Sequence, residues 1–217
     1  MGVLPFWLVR VLQRSVAGCS RIPFLFDGLR WGLEGGFRQH RALLQKHFDR
    51  GGIAVLDCGC GTGIHAGHFS SAAYVGIDIS EGYLARARRR YPNHRFELMD
   101  AQRLSFENGS FDAVIVSGVI HHMEDERASE VLHQIARVLK PKGLMLLWED
   151  IPIQGRANWV GRWVQALDVG DFIRHPSKYL SLVENWFVVD SIEIFRSGFM
   201  EYVAFRCRPR VDRWVQA

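Results

Sequence analysis

The stretch LDCGCGTGIHAGHF, residues 56–69, places three glycines at alternate positions directly behind an acidic residue. The acid is Asp57, and the glycines are Gly59, Gly61 and Gly63. Glycines leave the backbone bare and adopt conformations that other residues rarely reach, so they are typical of loops that a ligand approaches closely. The stretch therefore predicts a ligand-binding loop, and the sequence around it decides the fold in which that loop lies.

Short apolar runs and helical patterns alternate through the middle of the chain. Between the apolar runs, helices are expected at Ile64 to Ser70, Glu81 to Tyr91 and about Asp125 to Leu139. The apolar runs predict strands in IAVLDCG (53–59), AYVGIDIS (73–80), RFELMD (95–100), FDAVIVSG (111–118) and GLMLLWED (143–150). This alternation predicts an α/β fold, a doubly wound, mostly parallel sheet with helices on both faces. The glycine loop follows the first strand, where such sheets commonly bind ligands.

The N-terminal part of the chain predicts two helices. After Pro5, polar residues at helical spacing, among them Arg10 and Arg14, indicate a basic amphipathic helix. A second helix is expected at about Phe37 to Phe48, with Gly51-Gly52 ending it. We interpret residues 1–45 as a helical cap that acts as a substrate lid or as a contact with the membrane interface.

The C-terminal part departs from the alternating pattern. Residues 151–180 are rich in tryptophan, glycine and mixed charge, and they predict an inserted lid over the site. The apolar runs WFVVDSIEIF and MEYVAFRC, joined by Ser197-Gly198, predict a β-hairpin. The expected organisation is therefore the cap, a ligand-binding core at 46–150, and a lid with a hairpin at 151–217 that belongs to the same domain.

Composition limits the classes of function that the chain supports. Its 217 residues, 48% of them hydrophobic, are enough for one domain with a buried core. Lys and Arg outnumber Asp and Glu by 27 to 23, too small a surplus to indicate nucleic-acid binding by itself. The four cysteines match no common disulfide or zinc framework, so we expect a reduced cytoplasmic protein with no metal site, and no apolar run is long enough to span a membrane.

The loop's spacing and charge indicate the kind of ligand. A nicotinamide dinucleotide loop would need a third glycine at position 64, which is Ile64, and Asp57 would repel a pyrophosphate. The same carboxylate would attract an ammonium or a sulfonium group. Asp78, nineteen residues after Gly59, ends the second predicted strand, where a carboxylate can bind both ribose hydroxyls. A positively charged nucleoside with a small carboxylate fits these features, and S-adenosylmethionine has all of them.

With these residues the sequence resembles the class I S-adenosylmethionine-dependent methyltransferases of the small type 11 kind. The resemblance covers about Ala54 to Trp148 and rests on LDCGCGTG, VGIDIS, MDAQRLSFENGSFDAVIVSGVIHHMED and IARVLKPKGLMLL. It implies a Rossmann-like sheet of seven strands whose last strand is antiparallel. It also implies S-adenosyl-L-methionine as the cofactor and methyl transfer as the activity.

The same resemblance implies a role for particular residues. The glycine loop would hold the methionyl end of the cofactor through Asp57, Gly59, Cys60, Gly61, Thr62 and Gly63. Asp78 would bind the ribose, and Ile79 would pack on the face of the adenine. Asp100 with Ala101 would bind the adenine amino edge, and Ser117 would lie near the methyl group.

Three residues are candidates for a catalytic role at the methyl group. His121 and His122 follow the fourth predicted strand, and Glu149 ends the fifth, so all three are expected at the edge of the sheet where the methyl lies. A general base helps when the acceptor is a hydroxyl, a phenol or an acidic carbon, and histidine has a suitable pKa. The alternatives are that the histidine pair holds the backbone at a helix entry and that Glu149 binds an amine or an arginine.

The acceptor is predicted only as a class. The cap and the segment 151–180 are rich in aromatic residues, which favours a hydrophobic small molecule or a lipid-like acceptor. The alternative is that these aromatics simply pack the cap against the sheet. A tRNA or nucleic-acid methyltransferase is a second hypothesis, made unfavourable by the lack of a basic appendage. A non-catalytic cofactor-binding subunit is a third, which the intact loop argues against.

Overall fold

The computed structural model of the chain describes residues 28, 30–48, 52–155, 158–167 and 172–210. The basic helix expected after Pro5 lies outside these described residues. Among the helices within them, none is long and apolar enough to cross a bilayer.

A seven-stranded sheet forms the centre of the protein. In chain order its strands are β1 (Val55–Cys58), β2 (Tyr74–Asp78), β3 (Arg95–Leu98), β4 (Phe111–Ser117), β5 (Leu139–Asp150), β6 (Phe187–Ser197) and β7 (Met200–Pro209). Their order across the sheet is β3-β2-β1-β4-β5-β7-β6. Strands β1 to β5 are parallel, whereas β7 runs antiparallel to both β5 and β6. The predicted fold class is confirmed, including the antiparallel last strand and the terminal hairpin.

Helices cover both faces of this sheet. They are α1 (Arg38–His47), α2 (Glu81–Arg90), α3 (Asp125–Val138), α4 (Trp159–Leu167) and α5 (Pro176–Val183). The side chain of Ser80 caps α2 by accepting a hydrogen bond from the Tyr83 amide. One apolar core includes the buried face of α3 with Val131, Leu132 and Ile135, and a second includes Leu44 of α1. Because β1, β4 and β5 are parallel neighbours, their carboxyl ends open at one edge of the sheet.

The helix predicted at Ile64 to Ser70 is wrong. The structure has turns through His65 and then a short 3₁₀ helix, Ala66–His68. Glycine inside an α-helix costs about 1 kcal/mol relative to alanine, and Gly67 lies in the middle of this stretch, with Gly63 directly before it. Gly63 also has a φ of 74°, which an α-helix does not accommodate. No full helix therefore follows the glycine loop.

The predicted end of α1 also needs correction. The helix stops at His47, and Phe48 is already extended, so Gly51-Gly52 does not terminate it. The buried ring of Phe48 lies 5.8 Å from the ring of Phe69, centre to centre. Burying this aromatic side chain favours the extended backbone at Phe48 over another helical turn.

The tip of the C-terminal hairpin docks on the segment that precedes α1. Ser197 Oγ donates a 2.7 Å hydrogen bond to the carbonyl of Glu34, and the amide of Phe199 donates a 2.8 Å bond to the carbonyl of Leu33. Gly198 between them has a φ of 60°, and a Cβ there would lie 2.0 Å from the Leu33 carbonyl oxygen. Only glycine fits this approach, so the hairpin fixes the N-terminal segment beside the open edge of the sheet.

Candidate functional site

The glycine loop leaves β1 through three left-handed glycines. The φ angles of Gly59, Gly61 and Gly63 are 74°, 55° and 74°. A Cβ at Gly59 would lie 2.5 Å from a methyl carbon of Val119, whereas nothing lies within 4 Å of a Cβ placed at Gly61. Gly59 is thus required for packing, and Gly61 leaves space that a ligand can occupy.

A cleft opens between this loop, α2, the end of β4 and the N-terminal segment. It is lined by Arg30, Gly59, Cys60, Gly61, Thr62, Ile64, His65, Tyr83 and Ser117. Five of these were predicted from the sequence as cofactor residues, namely Gly59, Cys60, Gly61, Thr62 and Ser117. Arg30, Ile64, His65 and Tyr83 were missed. Arg30 and Tyr83 lie outside the glycine loop, and Ile64 and His65 directly follow its last glycine.

Asp78 ties the end of β2 to the glycine loop. Its Oδ2 accepts a 2.9 Å hydrogen bond from the Gly61 amide, and its Oδ1 accepts a 2.8 Å bond from the Ser80 amide. Burial raises the pKa of Asp78, and these backbone hydrogen bonds oppose the rise. The Asp78 carboxylate therefore lies at the end of β2, where the sequence predicts that the cofactor's ribose binds.

Asp57 lies beneath the loop and does not line the cleft. Its side chain is fully buried, and Tyr74 donates a 2.7 Å hydrogen bond to Oδ2. Its Oδ1 has no hydrogen-bond partner among the described residues. Burial raises its pKa to about 7, the bond from Tyr74 opposes the rise, and the charge of Asp78 adds to it. A positive charge in the cleft would favour the ionised form of this carboxyl group.

The predicted adenine residues lie on the open surface next to the cleft. Ile79 is 76% exposed, and Leu98, on the neighbouring strand, is exposed as well. An exposed isoleucine at this position offers the face of a flat base an apolar surface to cover. Asp100 is exposed, with Oδ1 accepting the Gln102 amide, and Ala101 is half-buried.

These features fit S-adenosylmethionine. The open space at Gly61 accommodates a ligand against bare backbone, and the buried Asp57 oxygen without a partner would be stabilised by its positive charges. Asp78 is placed for a ribose, and Ile79 for an adenine face. When bound, the cofactor supplies an activated methyl group on a positively charged sulfur.

The turn after β4 is held by the fully buried Glu149. Its Oε1 accepts hydrogen bonds from the Val119 and Ile120 amides, both at 2.9 Å, and its Oε2 accepts one from the His121 amide at 3.3 Å. The ring Nδ1 of His121 lies 2.6 Å from Oε2. With both oxygens bonded inside the protein, Glu149 orients the turn and the imidazole, and it has no oxygen to offer a substrate as a base.

The two histidines differ in their surroundings. His121 is buried, with its Nε2 3.9 Å from an oxygen of Asp150, whereas His122 is exposed. Their rings lie 4.0 Å apart, centre to centre. Neither ring lines the cleft. Glu149 orients the ring of His121, and the ring of His122 is open to solvent.

Arg174 connects the segment before α5 to this histidine turn. Its guanidinium donates to the carbonyls of Ile120 at 2.8 Å and Met123 at 2.6 Å, and its Nε donates to Asp125 at 2.9 Å. It also stacks near the ring of Phe172, with 5.7 Å to the centre. No sequence pattern predicts this contact, because a single arginine in a segment of mixed charge resembles any surface residue.

A buried polar cluster lies beside the cleft, between α1, the glycine loop and β5. Glu34, His40, His65 and Trp148 are all buried there. The ring of Trp148 lies 5.6 Å from that of His40 and 5.2 Å from that of His65. Burial lowers the pKa of His40 to about 3 and that of His65 well below its usual value, with nearby positive charges adding to both shifts. Both imidazoles are therefore neutral at physiological pH.

Comparisons with known proteins agree with this site. The sequence model described as "Methyltransferase domain" matches residues 55–143. A probable S-adenosylmethionine-dependent methyltransferase of Mycolicibacterium smegmatis is 30% identical over 135 residues, which cover 61% of this chain and 50% of that protein. Demethylmenaquinone methyltransferase of Beutenbergia cavernae is 34% identical over 125 residues, 57% of this chain and 50% of that protein.

The chain spans about half the length of these curated relatives. Among solved structures, the PH0226 protein from Pyrococcus horikoshii superposes with a TM-score of 0.64 at 22% sequence identity. The superposition covers 81% of this chain and 92% of that one. At this level of identity the similarity establishes the fold.

Proposed function

We propose that the chain is a class I S-adenosylmethionine-dependent methyltransferase that transfers the cofactor's methyl group to a hydrophobic small-molecule or lipid-like acceptor. The observation that carries this proposal is the cleft at Gly61, where bare backbone, the Asp78 carboxylate and Ser117 at the end of β4 come together. Each of these belongs to the part of the chain that matches the family.

The protein's contribution to such a reaction is mainly positioning. Methyl transfer from a sulfonium is an in-line displacement with a good leaving group, so holding the two partners in line and excluding water supply most of the rate. Asp78 and the glycine loop would fix the cofactor, and the turn of residues 118–123 would form the wall beside the methyl. His121, oriented through Nδ1 by Glu149, would hold this turn in place as a positioning residue, because its ring is buried and does not line the cleft.

Exposed aromatic side chains around the site support an apolar acceptor. Trp31 and Trp159 are more than 60% exposed, and Phe172 and Phe199 are exposed to a lesser degree. Aromatic residues left open beside a cleft are typical of surfaces that an apolar ligand or a lid covers. The relative from Beutenbergia cavernae is a demethylmenaquinone methyltransferase, and a quinone is an acceptor of this class.

Reversible contact with a membrane surface is part of the proposal. An enzyme that draws a lipid-like acceptor from a bilayer benefits from resting on it, and the basic amphipathic segment after Pro5 has the composition of an interfacial helix. Two arginines on its polar face give weak, salt-sensitive attachment at about 1 kcal/mol per charge. Co-sedimentation with anionic vesicles should decrease as salt is added.

Nucleic acid is a less favourable acceptor. The basic run at the end of α2 is partly engaged within the protein, since Arg88 donates to Glu81 at 2.5 Å and to the carbonyl of Phe96 at 3.1 Å. Basic residues in the last turn also stabilise the negative end of the helix dipole. This run is therefore explained by helix stability without a nucleic-acid partner.

Calorimetry followed by a transfer assay tests the proposal. The purified chain should bind S-adenosylmethionine and S-adenosylhomocysteine, and it should bind NAD and ATP much more weakly because Asp57 and the spacing of the loop glycines disfavour phosphates. With methyl-labelled cofactor, the label should move into an organic extract containing demethylmenaquinone or total lipid and leave tRNA unlabelled. Gly61→Val is the matched loss-of-binding control.

Binding without transfer to any of these acceptors would favour a non-catalytic subunit. Transfer of the label to tRNA instead of the organic extract would overturn the acceptor class. Absence of cofactor binding would overturn the proposed function altogether.

A further inference from the structure

The methionyl end of the proposed cofactor carries a carboxylate, and the glycine loop has no evident partner for it. In many α/β proteins the N-terminus of the helix behind such a loop attracts an anion. In this chain the loop leads into turns and the short 3₁₀ helix Ala66–His68. The nearby acidic side chains, Asp57 and Asp78, would repel a further negative charge. The carboxylate therefore needs a positively charged side chain.

Arg30 reaches the cleft from the segment that precedes α1. It lines the cleft together with Gly61, Thr62 and His65, and its side chain is 29% exposed. Its Nε donates a 2.6 Å hydrogen bond to Glu34 Oε1, which orients the guanidinium. A guanidinium has five N–H donors in a planar fork, so one group can serve two carboxylates.

Arg30 stays protonated, and so positively charged, in this position. Burial, the largest single effect, lowers its pKa. The negative charge of Glu34, the hydrogen bond to it, and the Tyr202 and Asp150 groups together outweigh burial, so the pKa of Arg30 is raised above its ordinary value. The other basic side chain that lines the cleft is His65, whose pKa is lowered well below its usual value by burial. Among the described residues that line the cleft, Arg30 is the one with a permanent positive charge.

From this placement we propose that Arg30 binds the methionyl carboxylate of the cofactor. The inference rests on the proposed function, but it concerns a residue outside the matched stretch 55–143, so the family match assigns it no role. Glu34 is the residue that positions it. The docked hairpin tip holds this segment in place through the bonds from Ser197 and Phe199 to the carbonyls of Glu34 and Leu33.

Decarboxylated S-adenosylmethionine provides a direct test, because it keeps the sulfonium and the amine and lacks only the carboxylate. Calorimetry on the full chain would compare its affinity with that of S-adenosylmethionine. For the unchanged protein we expect the intact cofactor to bind roughly ten- to a hundredfold more tightly. In Arg30→Gln the ratio of the two affinities should fall to about threefold or less. Only the affinity for S-adenosylmethionine should decrease, and that for the decarboxylated form should stay the same.

Two further variants separate ligand binding from folding. Arg30→Lys keeps the charge and should retain part of the preference for the carboxylate. Arg38→Gln, an exposed arginine on α1 that does not line the cleft, is the matched control and should change neither affinity. Thermal unfolding of each variant reports whether the buried Glu34 destabilises Arg30→Gln, and Arg30→Gln/Glu34→Gln repeats the comparison with both charges removed.

Loss of affinity for both ligands by the same factor in Arg30→Gln would overturn the assignment, as would an unchanged preference for the carboxylate. If the unchanged protein binds neither ligand, the proposed function itself fails, and this inference fails with it. Cofactor binding with no effect of Arg30 leaves the proposed function intact and overturns only the inference.

Discussion

Replacing Asp57 with asparagine should make the stability of the protein less dependent on pH. The pKa of Asp57 is raised from 3.8 to about 7 by burial, so the folded state holds a proton that the unfolded chain releases above pH 4. Stability contributed by this group is therefore present at low pH and falls as the pH rises through about 7. Asparagine has no such proton, and its amide can still contact Tyr74.

The size of the effect follows from these two pKa values. Between pH 5 and pH 8 the unchanged protein should lose about 2.5 kcal/mol of unfolding free energy relative to Asp57→Asn. For a chain of this length the difference corresponds to roughly 5 to 10 °C in the melting temperature. Comparing the two proteins at each pH cancels the contributions of other titrating groups, such as the buried His40.

Urea unfolding of both proteins at pH 5 and pH 8, without ligand, is the assay. Glu126→Gln, which removes an exposed carboxylate from α3 and keeps Asp57, is the control, and its stability should change with pH as that of the unchanged protein does. Saturating S-adenosylmethionine should stabilise the unchanged protein more than Asp57→Asn at pH 8, because its positive charges favour the ionised carboxylate. A stability difference between the two proteins that is the same at both pH values would refute the reasoning.

The remaining predictions concern the loop and the turn after β4. Gly59→Ala should lower the free energy of unfolding by more than about 2 kcal/mol, because its Cβ overlaps Val119. Gly61→Ala should lower it by about 1 kcal/mol and mainly weaken cofactor binding. Equal stabilities of the two variants in urea would contradict this. Arg174→Lys should lower turnover roughly tenfold with an unchanged cofactor Kd, because the turn after β4 loses the hydrogen bond from the guanidinium to the Ile120 carbonyl. A higher Kd for the cofactor would contradict this. His121→Ala should lower turnover roughly tenfold with an unchanged cofactor Kd, because the turn after β4 loses a contact with Glu149. Single-turnover rates equal to those of the unchanged protein would contradict this.

Much of the fold was predictable because its signals are local. Alternating apolar runs and helical patterns gave the parallel strands and α2 and α3 to within a few residues, since burial on both faces of a sheet imposes that pattern. The helix at Ile64 to Ser70 failed because Gly67 within it and the left-handed Gly63 directly before it outweigh the apolar spacing. The spacing of apolar residues does not reveal the free energy that glycine costs in a helix.

The site was predictable only in part, for the same reason. The loop and Ser117 come together as expected, because a motif places them at neighbouring strand ends. Arg30 and Arg174 act through contacts with residues far away in the chain, and neither lies in a motif. Glu149 was expected at the correct strand end, but its three backbone partners, which remove it as a free base, depend on the path of the turn after β4.

The docking of the hairpin tip on the segment before α1 has a consequence for how the protein is made. The bond from Ser197 to the Glu34 carbonyl joins residues 163 positions apart. On a ribosome, the sheet's parallel strands emerge before β6 and β7, so the segment that carries Arg30 has nothing to dock against until the hairpin has been synthesised. Contacts this distant in sequence also form slowly. The nascent chain should therefore gain full affinity for its cofactor only after the hairpin has emerged and docked.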